Sequence, residues 1–150
     1  MEYKMTKQIN LNEYGKFVET LTSTTSKDLP SMMNRLDELD ANWFEGEQKH
    51  GPDINVPLYF TSAMGMCSEA GEFMEIAKKC LWQNKPFNEE TKYHSMRELG
   101  DIIFYWFQAC RALGYDPNDV IAENVKKLEA RYPGGSFDPF YSENRKAGDL

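Results

Sequence analysis

The sequence has 150 residues, of which 41% are apolar and 13% aromatic, and a formal net charge of −7. That length suits one domain with a core of its own, and that composition excludes a disordered chain. The negative charge excludes a protein that tracks the phosphate backbone of DNA or RNA by itself, but admits a small phosphate-bearing ligand if a cation sits between the two.

No apolar run approaches the ~18 residues needed to span a bilayer. Residues 1–10 are polar and charged, without the apolar centre of a secretory signal. Cys67, Cys80 and Cys110 form no CxxC or Cys/His spacing. They read as small apolar fillers in a reducing compartment. The expectation is a cytoplasmic protein with neither a membrane nor a nucleic-acid polymer among its partners.

Asn10-Leu11-Asn12-Glu13 forms a capping-box pattern, and Leu11, Tyr14, Phe17, Val18 and Leu21 follow at helical spacing. Pro30 separates this helix from a second pattern, Met32, Leu36, Leu39 and Trp43, which weakens near Gly46 and ends at Gly51-Pro52. Residues 57–82 carry the clearest periodicity: Ala63, Cys67, Ala70, Phe73/Met74, Ala77 and Leu81 form one apolar stripe. Residues 84–88 read as a turn. Asn88 then caps a helix whose first turn holds Glu89 and Glu90, favourable at the positive end of the dipole.

Met96, Leu99, Ile103, Trp106, Cys110 and Leu113 give that helix its own stripe, and Gly114 suits its C-terminus. Asp116-Pro117 starts another helix, with Ile121, Val125 and Leu128, which stops at Pro133-Gly134-Gly135. The remainder, 136–150, reads as an irregular tail. No run alternates like a strand, so the predicted fold is all-α, an antiparallel helical bundle.

Glu69 and Glu72 are three apart on one helix, and Glu98 and Asp101 three apart on the next. Residues so spaced share a face. Each pair borders its apolar stripe, so an antiparallel hairpin brings the two pairs to one level. Four carboxylates so placed repel one another and disfavour ionisation unless a cation is present. Oxygen-only ligands suit Mg²⁺, with Mn²⁺ as the alternative, and Mg²⁺ commonly shares its shell with substrate phosphates. Solvated acidic faces are the bland explanation of either pair alone; two pairs on successive helices are harder to explain that way.

Ser68-Glu69-Ala70-Gly71-Glu72-Phe73 and Glu98-Leu99-Gly100-Asp101-Ile102-Ile103, 25 residues between Glu72 and Glu98, resemble the ExxE…ExxD signature of the all-alpha nucleoside triphosphate pyrophosphohydrolases. These are the MazG-like proteins with their dUTPase and dCTPase relatives. The resemblance continues in Asn124-Val125-Lys126-Lys127-Leu128-Glu129-Ala130-Arg131-Tyr132-Pro133 and covers about residues 57–145. It implies one MazG-like domain over 1–150: accessory N-terminal helices in 1–55, a catalytic helical core in 56–133 and the tail in 134–150.

The resemblance implies that Glu69, Glu72, Glu98 and Asp101 are the Mg²⁺ ligands and catalytic residues, and that Asn124, Lys127 and Arg131 contact substrate. Positions 124, 127 and 131 also share a helical face, and a lysine and an arginine there suit phosphate oxygens. Trp82, at the end of the first motif helix, is the candidate to stack on a nucleobase, with core packing as the plainer role. The implied reaction is hydrolysis of a nucleoside triphosphate, with a dNTP as the expected substrate, to monophosphate and pyrophosphate, in nucleotide-pool housecleaning or regulation. The implied assembly is a homodimer or homotetramer, in the host cytoplasm if the tail, with Arg145 as a further phosphate contact, marks a virus-encoded member.

Many members carry a glutamate immediately before the first motif glutamate. Ser68 stands there, and Glu75, one turn after Glu72, is the candidate replacement. Two other classes compete. A ferritin-like di-iron protein needs Glu-x-x-His on two helices, and neither His94 nor His50 lies three residues after a glutamate. A non-catalytic helical interaction or regulatory module would leave the acidic pairs solvated and replaceable.

Overall fold

The computed structural model describes residues 10–41 and 54–144. They contain helices and no strand, in two compact units, Met1–Gly51 and Pro52–Leu150.

In the first unit, α1 (Leu11–Leu21) begins where the Asn10 side chain accepts hydrogen bonds from the Asn12 and Glu13 amides, at 3.1 and 3.3 Å. A 3₁₀ turn, Thr24–Ser26, leads to α2 (Leu29–Ala41). Asp28 caps α2: the Ser31 amide donates to Oδ1 at 2.8 Å and the Ser31 hydroxyl to Oδ2 at 2.9 Å. These bonds hold the Asp28 carboxyl below its ordinary pKa. Pro30 falls inside the first turn of α2, where its missing N–H costs nothing. Trp43, Gly46 and Gly51-Pro52, expected to end this helix, lie outside the described residues.

The second unit is built on a long helical hairpin. Helix α3 (Val56–Trp82) starts at Asn55, whose side chain accepts from the Leu58 amide at 2.9 Å, with Pro57 in the first turn. Helix α4 (Glu89–Ala112) starts at Asn88, which accepts from the Thr91 amide at 3.0 Å. Between them Asn84 takes a left-handed φ of 53°, a conformation that asparagine tolerates better than most residues. Buried Thr91 closes the turn by donating to the Pro86 carbonyl at 2.8 Å.

At the open end of the hairpin, the Asn55 amide donates to the Ala112 carbonyl at 2.8 Å. That bond satisfies one of the carbonyls that the end of α4 leaves unpaired. Val56, Cys110 and Ala112 are the buried apolar residues here, among those described. Gly114, with φ of 70°, turns the chain, and Asp116 caps α5 (Pro117–Arg131) by accepting from the Asn118 amide at 2.7 Å. Helix α5 packs only slightly on α4, while α3 and α4 pack along their length.

Three expectations change. The tail is not wholly irregular: Asp138-Pro139 starts a short α6 (Pro139–Glu143), with Asp138 accepting from the Phe140 amide at 2.8 Å. The apolar stripes are not buried within this chain. Met96, Leu99 and Ile103 are 58, 50 and 52% exposed, because a two-helix hairpin can cover only one face of each helix. Of the cysteines, Cys110 is buried, whereas Cys67 is exposed.

The caps carry a measurable share of this fold. Asn88→Ala and Asp116→Ala are each expected to lower the unfolding free energy by about 1 kcal/mol, read by urea denaturation at fixed protein concentration. A change below a few tenths of that would mean that the capping bonds do not hold the helix starts.

Candidate metal centre

The register of the α3–α4 hairpin decides which side chains meet. Gly65 of α3 lies directly against the ring of Tyr105 of α4. The helices run antiparallel, so four residues forward on α3 and four back on α4 place Glu69 opposite Asp101. Three more place Glu72 opposite Glu98. The two acidic pairs therefore come to one level midway along the hairpin, as their spacing predicts.

Within that level, carboxylate oxygens of Glu69, Glu72 and Glu98 all lie within 4.8 Å of one another. Glu69 and Glu98 are half-buried and Glu72 is exposed. Asp101, expected as the fourth ligand, stands outside this triangle. It remains close enough to act on Glu69 by charge. Its side chain is one methylene shorter than glutamate, so it reaches less far across the same gap.

The electrostatics match the crowding. The Glu69 carboxyl is raised above its ordinary pKa, first by desolvation, then by the charges of Glu72, Asp101 and Glu98. All the charges that act on it are acidic, so the site calls for a cation. The donors are hard oxygens from three or four carboxylates, a set that fits Mg²⁺ or Mn²⁺ and not a thiolate-seeking metal.

Glu75 lies outside the triangle as well. It pairs with Lys78 and, at 3.4 Å, with Lys79 on its own helix. The hydrogen bond from Lys78 leads the causes that lower its pKa. It is thus held as a charged partner of lysines, unlike an acid poised to take a proton from water. His94 is half-buried, with Nε2 3.8 Å from a Glu90 carboxylate oxygen.

The other predicted site residues lie elsewhere. Asn124 and Lys127 are exposed on α5, and Arg131 is half-buried in its last turn. Helix α5, which carries them, makes only slight contact with α4. Trp82 is 74% exposed at the end of α3, so it is no part of a core in this chain. A cleft of about 360 Å³ opens beyond α5, lined by Leu128, Tyr132 and Phe137 among others. The Tyr132 and Phe137 rings are 5.7 Å apart. Their grouping depends on the turn at Gly134-Gly135, which the spacing of the residues did not disclose.

Residues 61–136 match the family model of the MazG nucleotide pyrophosphohydrolase domain, half of the chain. The chain belongs to the MazG nucleotide pyrophosphohydrolase family. The match takes in most of α3 and all of α4 and α5, with both acidic pairs. No curated protein and no solved structure gives a match. Membership places the chain among hydrolases of nucleotide anhydrides at the family level, and the resemblance of the two acidic motifs is confirmed as a family relation. No described helix is long and apolar enough to cross a membrane.

The raised Glu69 pKa sets a sign for pH. The folded protein holds the Glu69 proton more tightly than the unfolded chain does. Metal-free protein should therefore lose stability as pH rises from the ordinary glutamate value of 4.5 through the raised one. Thermal melts in EDTA across that window should show the fall, Glu69→Gln should flatten it, and Mg²⁺ should restore stability above it. A wild-type profile identical to that of Glu69→Gln would mean that the acids are not crowded in solution.

Proposed function

We propose that this MazG-family protein is a Mg²⁺-dependent pyrophosphohydrolase that converts nucleoside triphosphates, dNTPs foremost, to monophosphate and pyrophosphate. The observation that carries this reading is the triangle of Glu69, Glu72 and Glu98 carboxylates, with Asp101 beside it. A net charge of −7 would otherwise repel a triphosphate.

Glu69, Glu72, Glu98 and Asp101 would hold the ion between the two helices. When bound, it polarises phosphoryl oxygens and lowers the pKa of water. A carboxylate of the cluster accepts the proton of the attacking water, Glu72 being the most exposed of the triangle. The water oxygen bonds to the α-phosphorus, the bond from that phosphorus to the α–β bridging oxygen breaks, and pyrophosphate leaves with the electron pair. Asn124, Lys127 and Arg131 would bind the triphosphate, Lys127 as a point charge and Arg131 through its planar fork. Trp82, exposed and aromatic, would stack on the base.

The site would be completed by assembly. Met96, Leu99 and Ile103 form an apolar stripe along α4 that the chain leaves exposed, and Met64, Met74 and Leu81 do the same on α3. An apolar face of that extent marks a contact surface. Burying these stripes against other copies, as a homodimer or homotetramer, would supply the core the hairpin lacks. A partner copy could also bring an α5 to the carboxylates.

The deciding experiment is pyrophosphate release from a panel of NTPs and dNTPs with Mg²⁺ or EDTA. Turnover should require the metal. Glu69→Ala, Glu72→Ala, Glu98→Ala and Asp101→Ala should each lose at least ~100-fold in kcat while remaining folded. Lys127→Ala and Arg131→Ala should each lose about tenfold to a hundredfold in kcat/KM. Four carboxylate variants that keep full activity would sink the reading in favour of a non-catalytic interaction module. Light scattering should give a dimer or tetramer, and Ile103→Asp should shift it toward monomer; a monomeric wild type would reject the assembly.

A further inference from the structure

Helical glycines differ in what surrounds them. Gly15, Gly71 and Gly100 have nothing within 4 Å of where a Cβ would stand. Gly65 is different among the described helical glycines: a Cβ there would overlap the Tyr105 ring, at Cδ1, Cε1 and Cγ. A glycine inside a 27-residue helix weakens that helix relative to alanine, and at Gly65, unlike Gly71 of the same helix, a packing contact stands against that cost. Here the missing side chain makes room for an aromatic ring of the facing helix.

The place of this contact matters more than its closeness. Gly65 precedes Glu69 by four residues, and Tyr105 follows Asp101 by four. Each is therefore one turn away from an acid, on the same face of its helix. The ring against the bare backbone sets the separation of α3 and α4 at the level next to the carboxylates. We infer that the Gly65–Tyr105 contact is a positioning device for the metal centre: it holds Glu98 and Asp101 of α4 within reach of the ion that Glu69 and Glu72 of α3 bind. This rests on the metal-dependent reading above.

The tolerance is small. Two oxygens on opposite sides of one Mg²⁺ stand about 4.2 Å apart. Oxygens of the three carboxylates lie within 4.8 Å of one another, a bound close to that span. A methyl wedged between the helices one turn away would take α4's acids out of range of an ion held on α3. Such indirect changes typically cost about tenfold to a hundredfold in metal affinity.

The contact atoms belong to the ring, so the hydroxyl is dispensable and the ring is not. The test is Mn²⁺ binding, read by electron paramagnetic resonance on the full chain, with folding followed by circular dichroism. Tyr105→Phe should bind Mn²⁺ as wild type does. Gly65→Ala and Tyr105→Leu should each raise Kd about tenfold or more. The double variant Gly65→Ala/Tyr105→Leu, with the methyl filling part of the space the ring vacates, should bind more tightly than Tyr105→Leu alone. That recovery is what a merely destabilising pair would not give, and it can be read even if Gly65→Ala alone fails to fold.

A folded Gly65→Ala with wild-type affinity overturns the inference. So does a double variant no better than Tyr105→Leu, or a Tyr105→Phe as weak as Tyr105→Leu. Wild-type protein that takes up no Mn²⁺ overturns the metal centre itself, and this inference with it. Wild-type binding with unaffected variants overturns the positioning role alone.

Discussion

Carboxylates repel, and three of them within 4.8 Å cannot stay together unless something else holds their helices in place. Here that is the antiparallel packing of α3 on α4. It is pinned at one end by the Asn55–Ala112 backbone bond, at the other by the Asn88 cap and the Thr91–Pro86 bond. Between these ends the backbone of α3 at Gly65 lies against the Tyr105 ring of α4. The acids sit at mid-hairpin, where neither helix end can relax to relieve them. Desolvation first, and then the charges of Glu72, Asp101 and Glu98, raise the Glu69 pKa, and a bound cation would relieve the repulsion.

The rest of the molecule serves that hairpin unequally. Helix α5 carries the basic face, Lys127 and Arg131, but barely packs on α4. The apolar residues that would make a core, Met96, Leu99 and Ile103 among them, remain open. A single copy thus holds the carboxylates in register, while the helix proposed to bind phosphate packs only slightly on the hairpin. Assembly with further copies offers one remedy for both features.

Helix starts were the most legible part of the sequence, because a cap is a local bond between neighbours. Asn10, Asn88 and Asp116 each accept the amide bonds that their positions foretell. The same Asp-Pro signal at Asp138-Pro139 is not legible as a helix start, since five helical residues show no periodicity. The meeting of Glu69, Glu72 and Glu98 was legible from i,i+3 spacing on adjacent helices. That Asp101 falls outside the triangle was not, because it depends on side-chain reach across a gap of unstated width. Gly65 was missed for a related reason. A glycine costs a helical run about 1 kcal/mol against alanine, but the sequence does not separate Gly65, which meets a facing ring, from Gly71 and Gly100, which meet nothing. The partner, Tyr105, appears only once the register is known. The distance between α5 and the acids depends on docking between elements, on which local patterns are silent.

The most direct measurement is the anomalous scattering of Mn²⁺ in crystals of the protein grown with the metal. The predicted result is a peak between α3 and α4, coordinated by oxygens of Glu69, Glu72 and Glu98 at about 2.0–2.2 Å. Asp101 would coordinate it directly or lie next to it. A well-ordered crystal with no peak between the helices, or with Mn²⁺ held only elsewhere, would contradict the metal centre and the hydrolytic mechanism built on it.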